Sequence, residues 1–198
     1  MFFYIIIFFI CYLICAINPA IEICRRKTGQ DIRDLGSGNA GTTNSVRVMG
    51  KGFGLLVFAL DAIKALVSFW VVMLLCKIFS REFAISIKSV YMVACLMGHC
   101  FPVYYGFKGG KGIVVLLVAA LCINKQIAIV CIIVAFIIIL VTRTVSKGTL
   151  SGVLLYIIMT FVMMPEYIIA VIMVSSIVFF RHKENIVRIM NKEEQKLF

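Results

Sequence analysis

The chain has little of what a soluble enzyme relies on. Among its 198 residues there are nine carboxylate side chains, two His, three Pro and one Trp. No GxSxG elbow, no HxxxxD pair and no Walker A spacing occurs. No His, Cys and carboxylate groups fall at metal-ligand spacing, so neither a metal nor a cofactor is expected. The eight cysteines are scattered through apolar runs without a CxxC pair, which argues against a disulfide framework. A chain so equipped can perform chemistry only on a substrate that brings its own reactivity. The protein's part is then to hold and align charged groups.

What the chain does have is hydrocarbon. Apolar residues make up 63% of it, and the mean hydropathy is +1.08. No soluble domain of this size needs so much apolar surface, whereas a polytopic membrane protein does. The apolar runs predict seven spans: Phe2 to Ile17, Phe53 to Cys76, Phe83 to Gly98, Ile113 to Ile123, Ile127 to Val141, Leu150 to Met164, and a last one ending near Phe180. The first run has no basic leader and no small-residue cleavage site, so it reads as an uncleaved span. The expectation is an all-α polytopic integral membrane protein forming one domain over 1–198. Fifteen of its twenty basic residues fall in 22–51, 104–112, 142–149 and the tail after Phe180. The positive-inside rule then puts the N-terminus outside and the C-terminus in the cytoplasm. Every Gly-rich or Asn-rich loop falls on that inner side. The net charge of +11 is therefore read as serving an anionic substrate at the membrane, and not nucleic acid.

Between two apolar segments lies Gly98–Gly112, GHCFPVYYGFKGGKG. Its glycines let backbone N–H groups approach an anion, and Lys108 and Lys111 add full charges. A basic membrane-surface loop has a similar composition. The fourth span is short for a bilayer, so this turn is expected to begin below the membrane surface, in a polar cavity. Ser37-Gly38-Asn39-Ala40-Gly41-Thr42-Thr43-Asn44, followed by Arg47, has the donors to wrap a phosphate, or is a flexible loop with a helix cap. Asp61 and Lys64, three apart inside a span, read as a structural ion pair, because each is costly in the bilayer alone. His99 reads as a structural histidine. Arg143, Ser146 and Lys147 read as an interfacial anchor. Arg181–Arg188 predicts a helix with His182 and Asn185 on one face, suited to anionic lipid or to a site.

Taken together, these loops resemble the bacterial acyl-phosphate:glycerol-3-phosphate acyltransferases, the PlsY family. SGNAGTTNSVR (Ser37–Arg47) is similar to its SGNxGATNxxR, and DAIK (Asp61–Lys64) to its DxxKG. Gly98–Gly112 is similar to GHxFPxFxxFKGGKG, Thr142–Gly152 to the region of TRYVSLGS, and RHKENIVR (Arg181–Arg188) to RHxxNIxR. The matches come in family order. Departures are Thr42 for the usual Ala, Val114-Val115 for Ala-Thr and Lys147 for Leu.

The resemblance implies a seven-span bacterial inner-membrane enzyme with a cytoplasmic site. It implies acyl transfer from acyl phosphate to the 1-hydroxyl of glycerol 3-phosphate. Position by position, it implies that Ser37, Arg47, Lys108, Ser146, His182 and Asn185 hold glycerol 3-phosphate. Asn39, Gly41, Thr43, Asn44, Gly109, Gly110, Lys111 and Gly112 would hold the acyl phosphate. The catalytic groups would be Ser37, Arg47, His182 and Asn185, with His182 positioning the acceptor. The partners implied are the two substrates, the bilayer, and functional coupling to the enzyme that makes acyl phosphate. Without the resemblance, an organophosphate transporter is the competing reading, though no matching halves occur in the sequence. A membrane scaffold comes third.

Overall fold

The computed structural model describes residues 2–196, and no strand occurs among them. Ten α-helices follow in order: α1 (Phe2–Ala16), α2 (Pro19–Thr28), α3 (Thr42–Met49), α4 (Lys51–Ile78), α5 (Ile85–Cys100), α6 (Ile113–Ile123), α7 (Lys125–Thr142), α8 (Val145–Met163), α9 (Ile168–Arg181) and α10 (Lys183–Met190). Short 3-10 turns lie at Ile32–Asp34, Val103–Tyr105 and Pro165–Tyr167.

Five helical segments are long and apolar enough to cross a membrane: Phe2–Thr28, Lys51–Ile78, Ile85–Tyr105, Lys125–Thr142 and Val145–Met163. Pro165–Arg181 with Lys183–Met190, bent by 62°, is long and apolar enough for a sixth only when the pair is counted together. Large apolar side chains such as Trp70, Phe136, Val141 and Ile169 are exposed along these helices, as lipid-facing surface requires. The chain is an all-α integral membrane protein. The α6 segment is only 11 residues, about 16 Å of helix against a hydrocarbon core of about 30 Å. By length alone it does not cross.

The stretch 22–51, expected as one polar loop, is instead largely helical. Asn18 caps α2, its Oδ1 accepting from the Ile21 N–H at 3.2 Å, and Pro19 takes the first helical position. Proline is suited to that place, where its missing N–H costs nothing. The Asn-Pro that ends the first apolar run therefore starts a second helix. Gly29, at φ 74°, closes α2 in the left-handed conformation.

The chain divides into two compact units, Met1–Ala119 and Ala120–Phe198. In the first, α1 packs against α5 and α4, and α3 against α4. Glycine makes both approaches possible. A Cβ at Gly98 would collide with the Tyr12 carbonyl of α1, and one at Gly54 with Val46 of α3. In the second unit α8 packs against α7 and α9, and Gly148 leaves no room for a Cβ beside Ala135 and Ile139.

Candidate active site

In the first unit, the run from Gly36 to Asn44 folds back on the start of α3. Asn44 lies buried inside it. Its Oδ1 accepts the Ser37 N–H at 2.8 Å, and its Nδ2 donates to the carbonyls of Ile32 (3.2 Å) and Leu35 (2.9 Å). Both amide protons are thereby used, so Asn44 holds the loop's shape where it was expected on the acyl phosphate. Gly36 (φ 59°) and Gly38 (φ 70°) take left-handed conformations, and a Cβ at Gly36 would strike Asn44 Oδ1. The result presents Ser37 exposed, Asn39 and Thr43 half-buried, and Arg47 exposed on the last turn of α3. Gly41 supplies the N-cap of α3 without a side-chain cap. The first amides of this helix thus point toward the loop with the positive end of the helix dipole behind them. The Thr42 hydroxyl is buried there without a partner among the described residues.

The second loop meets the first directly. A Cβ at Gly110 would collide with the Ala40 carbonyl and the His99 ring, and one at Gly109 with the His99 carbonyl. Only glycine allows this approach. The Gly109 and Gly110 N–H groups donate to the carbonyls of Cys100 (3.2 Å) and His99 (3.3 Å). These two amides, expected to cradle the acyl phosphate, tie the turn to the end of α5. Gly112, at φ 78°, leads into α6. Upstream, Gly106 (φ 64°) and Phe107 (φ 60°) are both left-handed. A bulky residue there is strained and persists only where surroundings impose it. Arg33 imposes it: Nη1 donates to the carbonyls of Tyr105 (2.7 Å) and Lys108 (3.1 Å). Lys108 is thereby held on an anchored backbone with its side chain exposed, and Lys111 is half-buried.

Arg33 is itself fixed by Asp31, which accepts from Nε at 2.9 Å and Nη2 at 2.8 Å. Arg25 donates to the same carboxylate at 2.7 Å. Chiefly through its hydrogen bonds from Arg33, the Asp31 carboxyl lies well below the usual carboxylate range. Tyr105 adds a bond to Glu22 at 2.9 Å. Sequence reasoning counted Arg33 only as a basic loop residue. The signal available was the Asp31-x-Arg33 spacing just ahead of the glycine run.

Beneath both loops lies a buried polar group. Lys64 pairs with Asp61 Oδ1 at 2.7 Å, donates to the Ile17 carbonyl at 2.7 Å, and meets His99 Nδ1 at 3.0 Å. The same Nδ1 lies 3.4 Å from Asp61 Oδ1, and Nε2 is the ring atom facing Gly110. The expected structural pair and structural histidine are both found, joined into one support for the glycine turn.

The second unit carries the remaining expected residues, Ser146, His182 and Asn185, all buried. Ser146 opens α8. His182 sits at the bend between α9 and α10, and its Nδ1 donates to the Val178 carbonyl at 2.8 Å. In the neutral ring Nε2 is then the nitrogen with the lone pair. Ser146 Oγ and Asn185 Nδ2 both donate to Glu194 Oε1, each at 2.6 Å. Sequence reasoning passed over Glu194 because nothing in its neighbourhood distinguishes it from a solvated tail residue.

Comparison with known proteins bears on these two groups. The glycerol-3-phosphate acyltransferase family profile matches residues 5–192. The chain belongs to this family. The Clostridioides difficile (strain 630) glycerol-3-phosphate acyltransferase is 33% identical, over 98% of this chain and 95% of that one. The one from Shewanella sp. (strain MR-4) is 33% identical, over 94% and 89%. Among solved structures, the crystal structure of PlsY (YgiH) in its glycerol 3-phosphate form superposes with a TM-score of 0.86 at 29% identity, covering 98% of this chain and 94% of that one. Its lysophosphatidic acid form gives 0.83 at 28%, with the same coverage. Membership in this family makes the chain a membrane-embedded glycerol-3-phosphate acyltransferase, which displaces the transporter and scaffold readings.

Proposed function

We propose that the chain transfers a fatty acyl group from acyl phosphate to the 1-hydroxyl of sn-glycerol 3-phosphate, giving lysophosphatidic acid and inorganic phosphate. One observation carries this reading: Gly110 seats one phosphate-suited loop against the Ala40 carbonyl of the other. Two anion-holding loops, bearing Arg47 and Lys108, suit a reaction in which both substrates carry phosphate. The solved relative with bound glycerol 3-phosphate and the same relative in its lysophosphatidic acid form support the acceptor and the product. The family profile runs through both compact units, which supports one functional domain.

The chemistry follows from the donor. Acyl phosphate is a mixed anhydride, so its carbonyl carbon is already activated and its leaving group is phosphate. The glycerol oxygen forms the new C–O bond, the C–O bond to phosphate breaks, and the bond pair leaves with phosphate. The hydroxyl proton passes to the departing phosphate. No covalent enzyme intermediate is required. Ser37, Arg47, Lys108, Ser146, His182 and Asn185 hold glycerol 3-phosphate, and Asn39, Gly41 and Thr43 with Lys111 and Gly112 the donor's head group. The positive donors stabilise the tetrahedral oxyanion and the departing phosphate. The protein works in the bacterial inner membrane with these loops on the cytoplasmic face, coupled in function to an enzyme that supplies acyl phosphate.

Arg47→Ala and Lys108→Ala test the assignment. Each is expected to lower kcat/KM for glycerol 3-phosphate by about a hundredfold or more while folded protein remains in the membrane. Unaltered turnover in both would overturn it.

A further inference from the structure

The end of the chain returns onto α10 and places a carboxylate among the acceptor-binding donors. Lys192 adopts φ 60°, and the Glu193 N–H bonds back to the Arg188 carbonyl at 2.8 Å. This is the reversal that usually terminates a helix through a left-handed residue. It brings Glu194 back over the helix, where Oε1 accepts from Ser146 Oγ and Asn185 Nδ2 and Oε2 accepts from Arg188 Nε at 2.8 Å. The carboxylate is nine-tenths covered, with a side-chain exposure of 9%. Desolvation opposes its charge, but the three donors outweigh it and hold the pKa below the ordinary glutamate value. Glu194 lies beyond the residues that the family profile matches.

Two consequences follow for the hydrogen-bonding sense of this place. A serine hydroxyl has one proton, and that of Ser146 is committed to Glu194. Toward any ligand Ser146 can therefore act only as an acceptor. Arg188 is likewise paired, with Glu194 and, at 3.9 Å, with Glu184. A site with a fixed carboxylate, an accepting serine and a neutralised arginine suits an alcohol, which donates. It repels a phosphate, which is itself negative.

Resting on the proposed function, we propose that Glu194 is a specificity-determining residue that fixes the direction in which glycerol 3-phosphate enters. The Ser146–Asn185 end admits the hydroxyls and turns the phosphate away. Removing the negative charge would release the Ser146 hydroxyl and the Arg188 guanidinium together and create a second phosphate site.

Glu194→Gln keeps the shape and removes the charge. Purified wild type and variant would be titrated with inorganic phosphate by calorimetry in detergent. The variant is expected to bind one phosphate per chain more than wild type, with an affinity gain at that place of at least roughly tenfold. Adding Arg188→Gln should abolish the gain. Identical phosphate binding in wild type and Glu194→Gln would overturn the proposal. Glu194→Ala removes the same carboxylate without adding an amide, and is expected to show the same gain where the Gln variant does not fold.

Kinetics give a second readout. Reversed, non-productive binding lowers kcat and KM for glycerol 3-phosphate by the same factor, here about tenfold, whereas a merely structural loss raises KM or reduces folded protein. A higher kcat/KM in Glu194→Gln would also overturn the proposal, because the carboxylate would then be a plug that substrate displaces. The phosphate titration needs no turnover. Failure of the wild type to use acyl phosphate would therefore sink the donor assignment and leave the test of Glu194 standing.

Discussion

Single side chains shape the backbone around the candidate site. Asn44 satisfies two carbonyls and one N–H of the loop that carries Ser37. Asn44→Ala leaves the Ser37 N–H without this acceptor and the Ile32 and Leu35 carbonyls with one backbone bond each, and is expected to cost about 1–3 kcal/mol, seen as a lower melting temperature in detergent. Asp31 anchors Arg33, and through it the backbone on either side of Phe107. Because its folded pKa is depressed, its contribution to stability is fully present above the unfolded value of about 3.9 and is lost as pH falls through the folded value. The anchor is thus intact across the neutral range. Asp31→Asn is expected to destabilise the protein at pH 7, with variant and wild type converging only below about pH 4; a stability difference that vanishes at neutral pH would contradict this. Lys192, in contrast, sits where glycine fits better. Lys192→Gly removes about 1 kcal/mol of left-handed strain, so the variant should retain full activity and unfold no earlier than wild type. At this scale the sequence offers its direct ligand candidates readily, because glycine runs and cations announce themselves. It concealed the positioning residues, because Asn44 resembles its exposed neighbours and Glu194 sits in a charged tail.

The helices were legible to the extent that they are apolar. The run Ile113–Ile123 is bounded by Gly112 and Asn124, and α6 has those limits. The small amphipathic helices α2 and α3 were not legible, since ten and eight residues of mixed polarity do not stand out beside long hydrocarbon runs. The signs were Asn18-Pro19 at one end of α2 and Gly29 at the other, an N-cap, a first-position proline and a C-cap. These small helices position the site: α2 supplies Glu22 and Arg25, and α3 supplies Arg47. Their attachment depends on close backbone approach, which a sequence shows only as an unremarkable glycine. Gly98→Val would drive a side chain into the Tyr12 carbonyl of α1. It is expected to cost about 1–3 kcal/mol by overpacking and to lower the yield of folded protein, whereas Gly52→Ala, with open space around it, should be neutral within about 0.5 kcal/mol.

For the molecule as a whole, the fold class and the membership in an acyltransferase family follow from the order of five motifs along an apolar chain. What no single motif shows is that the first loop and the glycine turn are built against one another on a buried Asp61–Lys64–His99 support. In the proposed reaction this chain supplies alignment and positive charge while the donor supplies its own leaving group. Purified protein in lipid would be given glycerol 3-phosphate with either palmitoyl phosphate or palmitoyl-CoA, and lysophosphatidic acid and phosphate would be followed. Lysophosphatidic acid and phosphate are expected in equal amounts from palmitoyl phosphate, with no product from palmitoyl-CoA. Product from the CoA ester, or phosphate release without lysolipid, would contradict the proposed reaction.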